Sequence, residues 1–257
     1  MTLLSTFSSA SSRGFGTFKT SGGGGGSSGP TGTLKILLAG AESTASWVQD
    51  VATNLTTASA KYTGLTLSIT QVSGSSLSFP TVSVGQYDTI FFWTDSGATW
   101  NSSFDTHNAN NGGLVTAQFF GSVAPTSVTS ALMPTVPNSG GQNGGVLTWS
   151  NSTHAIGQGF NGTTQKVTSF VSGQTGAGFA ATNPTLNSGA TTVATASNGQ
   201  PFVVVKDNTA PTGRTVFLNM FPPSNSANSY SSGWSMASYP DGALLMLNAL
   251  LWSARKL

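Results

Sequence analysis

Apolar residues gather in short runs along the chain, separated by stretches of Ser, Thr, Asn and Gly. The first run is Leu34-Lys35-Ile36-Leu37-Leu38-Ala39-Gly40. It is almost continuous and ends in small residues, which predicts a strand buried on both faces, as in a parallel sheet. Glu42-Ser43-Thr44 then reads as a helix start. Trp47, Val48, Val51, Leu55 and Ala58 follow at three- and four-residue spacing and predict an amphipathic helix. Leu65, Leu67 and Ile69 alternate with polar residues, a second strand over 65–72. Residues 87–93, Tyr-Asp-Thr-Ile-Phe-Phe-Trp, form a third strand, again apolar on both faces. Strand, helix, strand, connection, strand is the opening of an α/β fold with crossover helices.

Farther along, the pattern changes. Residues 114–120 fit a short helix or a strand, and 145–149 fit a strand. Between 164 and 220 several β-like runs (167–171, 178–181, 191–196, 202–206 and 215–220) are parted by Asn and Gly turns. The last element is a helix opened by Pro240-Asp241-Gly242. Leu244, Leu245, Leu247, Leu250, Leu251 and Trp252 form its broad apolar face, and Arg255 and Lys256 complement its C-terminal dipole. Residues 1–33 have no hydrophobic period and contain five consecutive glycines, Gly22 to Gly26. Alone, such a segment is expected to be flexible. Phe7, Phe15 and Phe18 would be its apolar anchors and Arg13 and Lys19 its charges, which suits an extended arm that orders against a neighbouring subunit. The expected division is therefore an arm over 1–33 and one domain over 34–257.

Composition narrows the function. Only 16 of 257 residues are charged, 9 basic and 7 acidic, where about a quarter is usual. Nine cations with a net charge of +2 supply no basic patch for nucleic acid. The absence of cysteine removes disulfides, thiolate metal sites and a cysteine nucleophile. Ser and Thr number 74, so the surface is neutral and rich in hydroxyls, with little charge repulsion to keep copies apart. No apolar window long enough for a membrane span is present. The first ten residues lack the cationic start of a signal peptide, so export by that route is not expected.

Candidate chemistry is sparse. His154 is the foremost catalytic candidate, with Asp95 or Asp88 as a carboxylate partner. Asp95, in Trp93-Thr94-Asp95, should lie at the C-terminal edge of the sheet, where open α/β folds bind ligands. The bland alternative is that Asp95 caps a turn and His154 packs locally. Asp105 and His107 could form a two-ligand metal pair, a weak signal; local structural roles explain them as well, and no metal or cofactor is expected. Asp207-Asn208 and Asp241-Gly242 read as turn residues. Trp93, Trp100, Trp149, Tyr230, Trp234 and Tyr239 could act as stacking platforms for sugars, or equally as core and interface residues.

The order of these elements resembles the ThuA-like (trehalose-utilisation-like) branch of the class I glutamine amidotransferase-like fold. The matching pieces are Lys35 to Gly40, Tyr87 to Phe92, Gly112-Gly113-Leu114-Val115, Thr153-His154-Ala155-Ile156-Gly157-Gln158-Gly159-Phe160, Gly213 to Leu218 and Asn248 to Trp252. The resemblance implies a flavodoxin-like three-layer sandwich with a mostly parallel sheet and an added β-rich region. Two positions depart from the family pattern. Ala155 replaces a proline after the histidine, and Ala117-Gln118 stand where a histidine is expected. Amidotransferase activity is excluded because it requires a cysteine. Fold does not dictate function, and two functions remain. One is a non-enzymatic virion structural protein of a tailed bacteriophage (capsid decoration, fibre or tail), its arm on neighbouring virion subunits and its domain open to contact with host-surface glycans. The other is an extracellular ThuA-like carbohydrate-binding or sugar-active protein.

Overall fold

The computed structural model describes residues 29–95, 97–117, 125–133, 145–151, 153–158, 169–170, 185–196, 199–227, 234 and 241–257. The arm candidates Phe7, Arg13, Phe15, Phe18 and Lys19 lie outside the described residues, as do Tyr230 and Tyr239. In chain order the elements are β1 (Gly32–Ala41), α1 (Ala45–Ser59), β2 (Leu65–Ser73), β3 (Leu77–Ser78), β4 (Thr89–Thr94), β5 (Ala98–Thr99), α2 (Ser103–Ala109), β6 (Gly113–Ala117) and α3 (Thr126–Thr129). These are followed by β7 (Gly145–Val146), β8 (Thr148–Trp149), a 3₁₀ turn (Ala155–Gly157), β9 (Ser169–Phe170), β10 (Thr191–Thr195), β11 (Pro201–Lys206), β12 (Thr215–Leu218) and α4 (Asp241–Ser253).

Eight strands form one sheet in the order β2-β1-β4-β6-β12-β11-β10-β8. The five strands from β2 to β12 are parallel. β11, β10 and β8 extend the sheet in antiparallel fashion, the β-rich addition expected from the Asn/Gly-punctuated runs. The ambiguous segment at 114–120 is a strand over its described part, because a doubly buried place between β4 and β12 awaits it. Of the runs at 167–171 and 178–181, only Ser169–Phe170 is described, paired with β7.

Burial on both faces explains the continuous apolar runs. Leu34, Ile36, Leu38, Phe91, Trp93, Val115, Val216 and Leu218 face α1 and α4. Leu37, Ala39, Ile90, Phe92, Leu114 and Phe217 face the opposite side, where Phe104 of α2 and Val128 of α3 pack with Leu132, Met133, Phe79 and Val82. Helices on both sides of one sheet make the three layers of a flavodoxin-like sandwich. β2 is different. Its Leu67 and Ile69 are half-buried while Thr66, Ser68 and Thr70 are exposed, as befits an edge strand covered on one side.

α4 is buried almost all round, from Ala243 to Ser253. Its one internal polar side chain is fully matched. Asn248 accepts from the Tyr62 hydroxyl at 2.7 Å and donates to the carbonyls of Ile156 and Gln158. Burial pushes the Tyr62 hydroxyl up to about 12. The helix ends in a Schellman pattern, with Lys256 N–H donating to Leu251 O and Arg255 N–H to Trp252 O. Arg255 takes the left-handed position usually given to glycine, at φ 57°. Its guanidinium anchors it there by donating to Asn111 Oδ1, Thr212 O and Asn208 O. The two terminal cations thus cap the helix and also clamp neighbouring loops. Among the described residues, no helix is long and apolar enough to cross a membrane.

Candidate functional site at the switch point of the sheet

The strand order reverses at β1: β2 lies on one side and β4 on the other. In open parallel sheets the crevice outside the C-terminal ends at such a reversal is the favoured ligand position. Two carboxyl groups stand there. Glu42 follows the last residue of β1, and Asp95 follows the last residue of β4. The Asp95 N–H donates to Ala41 O at 2.9 Å, prolonging the pairing of the two strands and holding the carboxyls together.

Glu42 is the only glutamate of the chain and is wholly buried. Its Oε1 accepts a hydrogen bond from the Trp93 indole N–H. Its Oε2 is buried without a hydrogen-bond partner. Desolvation raises its pKa to about 8; the Trp93 bond works against the rise, and the nearby charge of Asp95 adds to it. At pH 7 Glu42 is therefore mostly a neutral carboxylic acid, able to donate a proton or a hydrogen bond. Asp95 is exposed at its turn, yet the adjoining protein bulk also raises its pKa. Gly40 makes room for this arrangement. A Cβ there would stand 2.6 Å from both the Trp93 ring and Val48, so only glycine lets the indole lie against the end of β1. Trp93→Phe should raise the Glu42 pKa further by removing its one donor, read from the carboxyl carbon shift in a pH titration by NMR.

His154 is not brought to this crevice. It caps the 3₁₀ turn, its Nδ1 accepting from Ile156 N–H at 3.3 Å. Its ring lies 5.5 Å from that of Trp252, at the end of α4. The charges that act on it are Arg214 and Asp207, at the opposite edge of the sheet from Asp95. Burial first, and then Arg214, lowers its pKa. Arg214 pairs with Asp207 at 2.7 Å, donates to Trp252 O at 3.0 Å and sits 4.4 Å from the Trp252 ring centre. Asp88, the other candidate partner, is matched by Lys256 at 3.0 Å and by the Lys35 N–H.

Asp105 and His107 also separate. Asp105 accepts from Ser127 N–H at 2.7 Å, holding the start of α3, and from the Trp100 indole. His107 is buried, with Nε2 at 3.3 Å from Gly113 O, and desolvation lowers its pKa. Among the described residues, no group of three or more His, Cys, Asp or Glu could hold a metal ion. Trp93 and Trp234 are core residues rather than sugar platforms, both fully buried. Trp100 packs edge-on against Phe79 and Phe104. Trp149 covers Gly157, where a Cβ would approach its ring to 2.9 Å.

Sequence reasoning overlooked Glu42 as a chemical group and read it as part of a helix start. The available signal was its position, a lone acid placed directly after a doubly buried strand.

No family model matches the chain, and no curated protein does. Solved structures that share its fold include two proteins of bacterial origin. One is a protein of Parabacteroides merdae described as ThuA-like, 12% identical, with a TM-score of 0.52, covering 87% of this chain and 90% of its own. The other is a protein of Bacteroides uniformis described in the same way, 16% identical, with a TM-score of 0.51, covering 86% and 91%. The chain therefore has the ThuA-like, glutamine amidotransferase-like fold.

Proposed function

We propose that this chain is a non-enzymatic structural component of a virion, a capsid decoration, fibre or tail protein of a tailed bacteriophage, anchored to neighbouring subunits by its N-terminal arm. The observation that carries this reading is the outer edge of β2, which no strand among the described residues pairs. Its nine residues, Leu-Thr-Leu-Ser-Ile-Thr-Gln-Val-Ser, contain neither a charge nor a proline. Natural edge strands usually carry one or the other to prevent pairing with another chain. A bare edge on a neutral surface is a liability in a free monomer and an asset within an assembly. The scarce charges support the same reading. Asp50 holds Ser224 through its N–H and hydroxyl, Asp88 pairs with Lys256, and Asp207 pairs with Arg214. These side chains staple distant segments of the fold and do not converge on a substrate. Native mass spectrometry of the full chain tests the reading. Defined multimers are expected, whereas a monomer at every concentration would count against assembly.

Asp95, exposed at the C-terminal end of β4 in the switch-point crevice, favours one second reading, a site for a neutral polyhydroxylated ligand such as a sugar. Its carboxyl oxygens can accept from ligand hydroxyls, while Glu42 stays buried behind it. Calorimetric titration with a panel of oligosaccharides tests it. Binding that disappears in Asp95→Ala would support the reading, and heats no larger than dilution across the panel would dismiss it.

A further inference from the structure

We propose that a cleft between α2, α3 and the end of β11 binds a small amino-acid zwitterion, its ammonium group held by Asp105, Asn108 and Ser127 and its carboxylate by Lys206. The cleft lies beside the N-terminal ends of β6 and β12, away from the switch-point crevice, and is independent of the assembly reading. Its volume is about 360 Å³, within the range of small-molecule sites.

The inner wall is built by two helices. Asp105 and Asn108 are three residues apart on α2 and share one face. The Ser127 N–H donates to Asp105 Oδ1 at 2.7 Å and ties α3 to that face. Three side chains there have unused capacity to accept. Asp105 receives the Ser127 N–H and the Trp100 indole, and a carboxylate has about four acceptor sites. Asn108 is 2% exposed. Its Nδ2 donates to the Gly112 carbonyl at 3.0 Å, which fixes the amide so that Oδ1 is the acceptor. That Oδ1 receives no hydrogen bond among the described residues. Ser127 Oγ is buried, likewise without a partner among them. Buried polar atoms left unmatched cost stability. Two of them beside a carboxylate call for several donors at one place, and an ammonium group supplies three.

Charge selects the other end of the ligand. Asp105 and Lys206 both line the cleft, yet among the described residues neither forms an ion pair, whereas Asp88 and Asp207 both do. Opposite charges on one cleft, too far apart to pair, leave a gap that a molecule carrying both charges bridges. The Lys206 ammonium spends one N–H on Ser188 O at 2.7 Å and keeps two for a carboxylate. Ala109 and Ala131 complete the lining and suit the methylene groups of a short zwitterion. A neutral polyol would leave both charges unanswered.

The Trp100 indole, bonded to Asp105, reports on occupancy. Its N–H resonance, identified with Trp100→Phe, is followed by NMR on the full chain. Glycine, β-alanine or γ-aminobutyrate, which separate the two charges progressively, is added to about 50 mM, beyond even millimolar affinity. At least one should shift the resonance saturably. Lys206→Gln and Asp105→Asn should each weaken that binding about tenfold or more, as the loss of a charge-assisted hydrogen bond requires. Lys206→Gln keeps an amide donor for Ser188 O, so it decides the matter even where Asp105→Asn fails to fold. No saturable shift with any of the three would overturn the site. An equal shift with glycerol would overturn the zwitterion, and unchanged affinity in Lys206→Gln would overturn the bridge between the two charges.

Discussion

Glu42→Gln stabilises the protein at pH 9 and leaves it nearly unchanged at pH 5. This effect follows from burial. Glutamine keeps the oxygen that accepts from the Trp93 indole and introduces no charge. Glutamate, held at about 8 in the fold against 4.5 ordinarily, binds its proton more tightly folded than unfolded. The contribution of that proton to stability is complete below pH 4.5. It is lost progressively as the pH rises toward 8 and is gone above it. Each pKa unit is worth about 1.4 kcal/mol, so the difference between the proteins approaches an upper bound of about 5 kcal/mol at pH 9. Urea unfolding of both proteins from pH 5 to pH 9 measures it. Two curves that stay parallel across this range would contradict a buried, neutral Glu42.

Gly213→Ala has the second largest expected effect, a loss of about 3–5 kcal/mol or failure to fold. Gly213 lies where three segments meet. Its N–H donates to Asn108 O at 2.7 Å, and the Asn108 side chain donates to Gly112 O at 3.0 Å. A Cβ on Gly213 would overlap the Gly112 carbonyl and stand 2.7 Å from Asn108 Nδ2. The backbone cannot yield there, because a Cβ on Gly112 would in turn overlap the buried ring of His107. Gly199→Ala is the contrast. It has φ +80° but open space around it, so only the left-handed backbone is strained, at about 1 kcal/mol. Thermal unfolding should separate them, with a fall of about 10–15 °C for Gly213→Ala against a few degrees for Gly199→Ala.

The parts of the fold most legible in the sequence are those where one force dominates. Residues 34–40 and 89–93 are apolar on both faces because helices cover both sides of β1 and β4. Leu65, Leu67 and Ile69 alternate because β2 is an edge. The closing helix is legible from its leucines, though its nearly complete burial is not, since the 3₁₀ turn that covers it on the outside has no strong pattern. The segment at 114–120 is ambiguous because period alone does not separate a buried strand from a short buried helix.

The candidate site was legible only by half. Asp95 is recognisable from its place after an apolar strand. Its partner is Glu42, which the helix start conceals, because an acid there serves equally well as a first-turn residue. His154 attracted attention as one of two histidines in a family-like segment, yet its surroundings are Trp252, Arg214 and Asp207. Those contacts depend on α4 reaching the far edge of the sheet, a tertiary fact that local spacing does not contain. The signal that distinguishes Glu42 is likewise tertiary: the indole of Trp93, admitted by Gly40, closes over it.

The proposed role makes this chain a part within a particle. Quantitative mass spectrometry of virus particles purified from the natural source addresses this most directly. The account predicts the chain at a fixed copy number in every particle preparation, retained through density-gradient purification. A chain absent from the particles and recovered wholly as free protein would contradict it, and would make the Glu42–Asp95 crevice the place to begin again.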